Sequence, residues 1–473
     1  MYVQSSHPQK KRGCLFRLFK WTAVAVCVLL LFGLCLFGYV FRGAMYNRVI
    51  AFPKEMAAWE AIRADRTAPG LDDGWTEFRG VCHSHSELSH DSEVPFPEIL
   101  EACKTADIRF LCMSDHCSEG KADFSKGWSG LHDGVLFIRG YEMSGGFMPW
   151  GLPPDTVLDC EADPAALAQQ IEVLGGVLFI AHSEEERPWH LPQIRGMEIY
   201  NIHTDLKNVG LPSLGPDIIL SLKKYPELVM RQIFERQTDI LKHWDELNRG
   251  RMMAGIAAGD AHQNNGFRGY YTANDTFLLR ATSDDTIGEW DLNFLTRPLL
   301  SMFFGSLEPG KQLFRIDLDK YERSLRFSST HVLAADLTQP DILDALSKGR
   351  SFIAFDMIAD ARGFVYFAQA GESKWVMGEE APLQDGLVLR AASPNNVRFT
   401  LVLDGKVIDT QEGRAYQFRP GTPGKYRLEA ELFIVDEWVP WVYTNPILVV
   451  PAPAASPEAA AVSAVSSESS SGA

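Results

Sequence analysis

Two histidines one residue apart, His83 and His85, close an apolar run that begins at Phe78, and His90 and Asp91 follow a few residues on. In a strand, side chains at i and i+2 point to one side, so both imidazoles can converge on one point if the extended geometry persists. Neutral imidazoles together with carboxylates form the donor set of Zn²⁺, Mn²⁺ or Fe²⁺. An isolated His-x-His is as easily chance as chemistry, but this one has company. Asp115 and His116 follow the apolar run Arg109–Ser114, and Glu142 follows Val135–Gly140. His182 follows Val177–Ala181, Asn201 ends Gly196–Tyr200, and Asp260 with His262 follow Met252–Ala258. Each lies just past a strand pattern, at the edge where barrel-type α/β folds assemble their sites. Chance would not put five of twelve histidines there.

The elements that must position these residues are readable between 77 and 355. Short strand patterns alternate with helix patterns, as in a parallel α/β layout, and Ser351–Phe355 supplies a seventh strand. Asp163-Pro164 starts one helix and Gly175-Gly176 stops it; Thr338-x-x-Asp341 starts another that ends near Gly349. Residues 216–250 are expected to form one or two longer amphipathic helices, and 263–320, irregular in pattern, an insertion. From Gly363 the pattern changes to short alternating strands, with a hairpin signal at Asp404-Gly405. Residues 363–450 therefore read as a β-sandwich-like domain, in which Trp438, Trp441 and Tyr443 serve core packing or a binding face. The tail 451–473, rich in Ala, Ser and Pro, cannot bury enough apolar surface to fold.

Trp21 to Phe41 is uncharged and long enough to span a hydrocarbon core of about 30 Å. Lys10, Lys11, Arg12, Arg17 and Lys20 precede it, and fewer basic residues follow, so residues 1–20 are assigned to the cytoplasm and 21–41 to a transmembrane signal anchor. A cleaved signal peptide fits less well, because the run exceeds a typical h-region and no small-x-small site follows. A lipoprotein fits poorly too, since Leu34 precedes Cys35 where a small residue is needed. Everything after Arg42 is thereby placed on the periplasmic or outer face of the cytoplasmic membrane.

The balance of 45 basic against 61 acidic residues, −16 net, disfavours a protein that wraps long nucleic acid. A small anionic substrate held by cations is compatible with it. Eight cysteines include no Cys-x-x-Cys pair. Three of them (Cys14, Cys27, Cys35) lie in or before the apolar run, and the odd number left rules out a fully paired disulfide framework within the chain.

The elements Cys-His83-Ser-His85, Met-Ser-Asp-His116, Arg-Gly-Tyr-Glu142, Ile-Ala-His182-Ser and Ala-Gly-Asp260-Ala-His262 resemble the polymerase and histidinol phosphatase (PHP) family. The resemblance spans roughly 77–355. It implies a distorted seven-stranded β/α barrel with His83, His85, His116, Glu142, His182, Asp260 and His262 as metal ligands. Asp91 (or His90) would complete the first motif, and Asp115 would handle protons beside the metals. The helix 338–349 and the following β-domain look like the exported branch that includes carbamate-type hydrolases. The chain departs from the family in one place: no histidine follows Glu142 in Met-Ser-Gly-Gly-Phe-Met-Pro-Trp-Gly151, which leaves one metal a ligand short and implies two divalent ions rather than three. Arg187, in Glu-Glu-Glu-Arg-Pro-Trp, either clamps an anionic substrate or pairs with neighbouring glutamates. His7, His132, His190, His243 and His331 fall outside the motifs and read as surface or packing residues, while His203, near a strand exit, could be either.

These readings together imply a membrane-anchored, metal-dependent hydrolase of a small substrate, first of all a phosphoesterase. The alternatives are a carbamate or ester hydrolase, a nuclease acting on nucleotide ends, and a non-catalytic metal-binding receptor or scaffold.

Overall fold

The computed structural model describes residues 12–202, 204–205, 211–282 and 285–452. His203, most of the 451–473 tail and the basic residues before Arg12 lie outside the described residues. The chain divides into two compact units, one of residues 1–56 with 209–232 and one of 57–208 with 233–473.

In the first unit a 35-residue helix, Arg12–Tyr46, carries the apolar run, and its membrane-length stretch is not buried at all. Helices Leu211–Ser221 and Pro226–Arg231 belong to the same unit, where Asn47 Nδ2 donates to Asp217 at 3.1 Å. With Thr238–Gly250 in the second unit, the stretch expected as one or two helices forms three.

The site-bearing strands of the second unit are β1 (Thr76–Ser84), β2 (Phe110–Cys112), β3 (Val135–Ile138), β4 (Phe147–Trp150), β5 (Val177–Ile180), β6 (Ile194–Asn201) and β7 (Ala254–Ala261). Parallel pairings run β3–β2–β1–β7–β6–β5. β4 lies antiparallel against β5, and a lone bridge from Gly140 to Trp150 links it back to the end of β3. Sequences such as Val-Leu-Phe-Ile in both β3 and β5 are apolar throughout because parallel strands are covered on both faces. Helices Phe96–Ala106, Pro164–Val173 and Gln339–Lys348 cover them. Asp163 accepts the Ala166 N–H at 3.1 Å, and Thr338 accepts that of Asp341 at 3.3 Å, as their N-cap spacing implies.

Six of the seven strands read from the sequence take part in the parallel run. The seventh, observed as Ser351–Ala354 (β9), does not: it is antiparallel to Ser329–Ala334 (β8), which in turn pairs antiparallel with the first half of β1. β9 also pairs with Glu437–Thr444 (β10), so hydrogen bonds continue from the α/β part into the C-terminal strands. There, Val388–Leu403 and Lys406–Phe418 form the hairpin, with Asp404 at φ 47° and Gly405 at φ 83°. Positive φ at both turn residues matches the right-handed strand twist. Trp441 and Tyr443 are buried, which places them in the core, while Trp438 stacks under Arg398.

Region 263–320 is not irregular. It is a four-stranded antiparallel sheet, Gly266–Tyr271, Thr276–Ala281, Thr286–Asp291 and Gln312–Asp317, with a helix Thr296–Phe304.

β8 buries His331 completely between Glu77 and the carboxylate of Asp356, which lies 2.9 Å from its Nε2. Burial lowers the imidazole's pKa, but Asp356 and Glu77 outweigh it and raise the value to about 9. A folded-state pKa above the unfolded one of about 6.5 means the stabilisation is whole below pH 6.5 and is lost as pH rises through 9. Unfolding free energy should therefore fall by a few kcal/mol between about pH 6.5 and 9. His331→Gln should flatten that part of the profile in denaturant titrations; an unchanged slope would assign it to other groups.

Candidate metal centre

His83 does not sit in a regular strand end. The β1–β7 register shifts between Cys82 and Ser84, and His83 takes φ 66°, so the strand bulges at the first histidine. His182 (φ 50°) and Asp260 (φ 43°) also occupy the left-handed region. Such conformations cost energy in non-glycine residues and persist where the surroundings hold them. Here they turn three donors inward. His83 Nε2 and His85 Nε2 come within 3.0 Å of each other, both fully buried.

Around that meeting point the described residues form three overlapping donor groups. His83 and His85 join Glu142; His83 also joins His182 and Asp260; His85 also joins Asp91, His116 and His262. Glu142 stands between them, with Oε2 at 3.3 Å from His83 Nε2 and 3.6 Å from His116 Nδ1, and Oε1 at 3.3 Å from His182 Nε2. The two-residue parallel pairing of Asp115–His116 with Tyr141–Glu142 sets that position. Asp260 reaches His83 Nε2 at 3.2 Å, His85 Nε2 at 3.4 Å and His262 Nδ1 at 3.3 Å. Asp91 Oδ2 lies 3.1 Å from His262 Nε2 and 3.4 Å from His116 Nε2. All eight ligand candidates named from the sequence are thus brought together. His90 is exposed, its ring 5.0 Å from that of His116 and outside the three groups.

The donor chemistry fits divalent ions. Asp91 Oδ1 is buried and has no hydrogen-bond partner among the described residues, a position a carboxylate oxygen tolerates when a cation faces it. Imidazole and carboxylate without thiolate suit Zn, Mn or Fe. Burial works against charge on His83, yet Asp260, Glu198 and Glu142 outweigh it and raise its pKa well above normal. His85, desolvated and facing His262 and His83, is instead pushed down to about 3 and is neutral. The cluster as a whole draws in positive charge.

Two carboxylates that the sequence did not single out for the site orient the rings of His83 and His182. Glu198, buried in β6, holds His83 Nδ1 with one oxygen, and its other oxygen accepts the His182 N–H at 2.9 Å and Asn201 Nδ2 at 3.0 Å. Glu184 lies 3.5 Å from His182 Nδ1. A histidine whose outer nitrogen is so engaged presents the other to a metal. The available signal was Glu198 inside Met-Glu-Ile-Tyr, a charge in an apolar strand.

Asp115 is buried but belongs to none of the groups. It accepts the Ser86 N–H at 2.6 Å and the Ser89 hydroxyl at 3.2 Å, and Ser89 Oγ lies 3.0 Å from His85 Nδ1. Burial, opposed by those hydrogen bonds, raises its pKa to about 6. Arg187 is tied into the loop it sits on: Nε donates to the carbonyls of Ala181 (3.1 Å) and His182 (3.3 Å), and Nη2 pairs with Glu185 at 2.9 Å. A cavity of about 360 Å³ opens beside His116, lined by Glu87, Leu88, Lys121, Lys126 and Tyr141.

Cys117, next to His116, is neither a free thiol nor simple packing. It is bonded to Cys160, 43 residues on, and pins the His116 segment to the strand pair Lys121–Asp123 and Val157–Asp159. Cys82, Cys103 and Cys112 are free and buried.

No protein-family model matches the chain, and no curated protein is similar to it. Among solved structures it is similar to a two-domain protein from Bacteroides vulgatus ATCC 8482 containing a predicted PHP-like metal-dependent phosphoesterase. The match covers 81% of this chain and 99% of that one at 13% identity, with a TM-score of 0.34.

Proposed function

We propose that this chain is a membrane-anchored, metal-dependent hydrolase of the PHP type, acting first of all on a small phosphate ester. The observation that carries the reading is the convergence of five histidines and three carboxylates in three groups linked through His83 and His85. Bound divalent ions supply a water of lowered pKa and charge stabilisation at the phosphoryl oxygens. The protein's own part is to hold the rings, through Glu198, Glu184 and Ser89, and to offer a cavity beside His116 in which Lys121 and Lys126 stand among Glu87, Glu119 and Asp123. Asp115, linked to His85 through Ser89, is placed to exchange a proton with that histidine's outer nitrogen. Arg187 acts by fixing the His182 loop rather than by clamping substrate. The test is turnover by the purified full chain in detergent, with Mn²⁺ or Zn²⁺, on phosphomonoesters against aryl carbamates. Phosphomonoester hydrolysis supports the reading; carbamate hydrolysis alone moves the activity to the carbonyl-cleaving alternative, and no turnover on either leaves the receptor reading.

Two ions are the proposed complement. His83 Nδ1 is taken by Glu198 and His85 Nδ1 faces Ser89, so each histidine has one inward nitrogen for the two groups it joins. If both serve the middle group, the other side keeps Asp91, His116 and His262, whereas the His182 group is left with no second nitrogen among the described residues, the segment after Glu142 bringing only Phe147 and Met148. Elemental analysis of freshly purified protein should give two equivalents per chain, and three would overturn this count.

The Cys117–Cys160 bond supports the exported placement of the domain, since such bonds persist in oxidising compartments. The helix Arg12–Tyr46 is the proposed single anchor, with the site on the periplasmic or outer side.

A further inference from the structure

The insertion at 263–320 carries a surface that the proposed hydrolase chemistry does not use. Its helix Thr296–Phe304 buries none of its residues. Leu295, Leu299, Met302 and Phe303 recur at the spacing of one helical face, and all four are exposed, Met302 and Phe303 to 70%. Phe294, 84% exposed, and Trp290, half exposed, extend the apolar area onto the preceding loop and strand. The opposite side of the helix is the one fastened to the sheet. Arg297 pairs with Asp275 at 3.3 Å and donates to the Tyr271 hydroxyl, and Phe304 stacks on Phe314 with centroids 5.6 Å apart. The helix is thus held by its inner edge with a row of large apolar side chains outward. Contiguous exposed apolar patches of this kind mark interaction surfaces.

We infer that this helix docks into the lipid bilayer to which the chain is anchored, as an interfacial element seated at the boundary of headgroups and acyl chains. The inference rests on the membrane-anchor reading of the Arg12–Tyr46 helix. Two observations select lipid over a second copy or another protein. First, a span on the same chain tethers the insertion covalently to a bilayer, so that insertion is favoured by effective concentration. Second, the charge is suited to it. The chain is −16 overall, yet from Leu292 to Phe304 there is no acidic residue and one basic one, Arg297. A carboxylate in that row would resist an anionic surface; from Phe294 to Phe303 there is none, and Phe, Leu and Met point outward, while Glu289 and Asp291 beside Trp290 stay at its edge. Such docking would hold the second unit at the membrane at a second point, and its substrates would then come from the membrane surface or the layer next to it.

The experiment uses the full chain with Cys14, Cys27 and Cys35 replaced by Ala, reconstituted in vesicles of phosphatidylethanolamine and phosphatidylglycerol containing brominated phosphatidylcholine. An environment-sensitive fluorophore is attached at Leu299→Cys or, as a control on the exposed hairpin of the β-domain, at Val407→Cys. Docking predicts that the label at 299 loses on the order of half its emission to the brominated lipid while the label at 407 is unaffected. Equal, weak quenching at both positions in a chain that floats with the vesicles overturns the docking and leaves the anchor standing. Protection of the 299 label from aqueous iodide without lipid quenching also overturns it, and assigns the face to a second copy. A chain that does not float at all overturns the anchor and the docking with it. Phe294→Ser with Phe303→Ser, labelled at 299, supplies the complementary measurement: lipid quenching should fall while flotation through the anchor is kept.

Discussion

Replacing Asp260 by Asn should lower turnover by about 10³-fold or more while the chain stays folded. Its Oδ1 lies within 3.4 Å of His83, His85 and His262, and its Oδ2 is 3.8 Å from His182, so one carboxylate faces donors from all three groups. Removing its charge leaves four histidines without their central counter-charge and leaves any bound dication less neutralised. Asn keeps the shape, tolerates the φ of 43° and can still accept from Asn201 Nδ2, which stands 3.1 Å from Oδ2. Circular dichroism of the variant should therefore match the parent, while activity and metal content fall. Parental turnover by Asp260→Asn would remove this residue from the site.

Glu198→Gln should weaken metal binding by about 10- to 100-fold, the usual cost of losing a partner behind a ligand. Glu198 touches no proposed substrate position; it acts through His83 Nδ1 and the His182 N–H. Its effect should accordingly be on affinity for the ion. Raising Mn²⁺ or Zn²⁺ should restore most of kcat, and calorimetric titration should show the weaker binding directly. A loss that no metal concentration repairs would mean that Glu198 does more than position His83. Because Gln is isosteric in this buried place, a collapse of the fold is not expected, and the denaturation midpoint without metal checks that.

Much of the site was legible because its residues follow strands. Apolar runs of β1, β2, β3, β5, β6 and β7 are continuous in the sequence, and the polar residues after them announce the edge on which ligands gather. His116, Glu142, His182, Asp260 and His262 could be named without knowing a distance, whereas Asp91 rather than His90 joins the donors only in the structure. The long apolar helix Arg12–Tyr46 was legible for a similar reason, since length and lack of charge need no tertiary context. The hairpin at Asp404-Gly405 was local turn chemistry and came out as read.

What the sequence could not decide depends on long-range partners. β8 was invisible because Ser329, Thr330 and His331 are polar; backbone pairing with β1 and β9 makes them strand residues, and Asp356, Ala257 and Glu77 bond their buried side chains. β4 was hidden by Pro149, tolerable there because the pairing with β5 is antiparallel at the end of the strand run. The strand logic for His83 and His85 reached the right meeting point by the wrong geometry: a bulge and a positive φ, not unbroken alternation, bring the two nitrogens together. The pairing of Cys117 with Cys160 could not be counted out from an odd number of cysteines. Residue types and their positions after strands determined which chemistry this chain can do. Which nitrogen faces inward, which carboxylate holds it and which apolar residues are left outside were decided by the tertiary structure, because each depends on groups far apart in the chain.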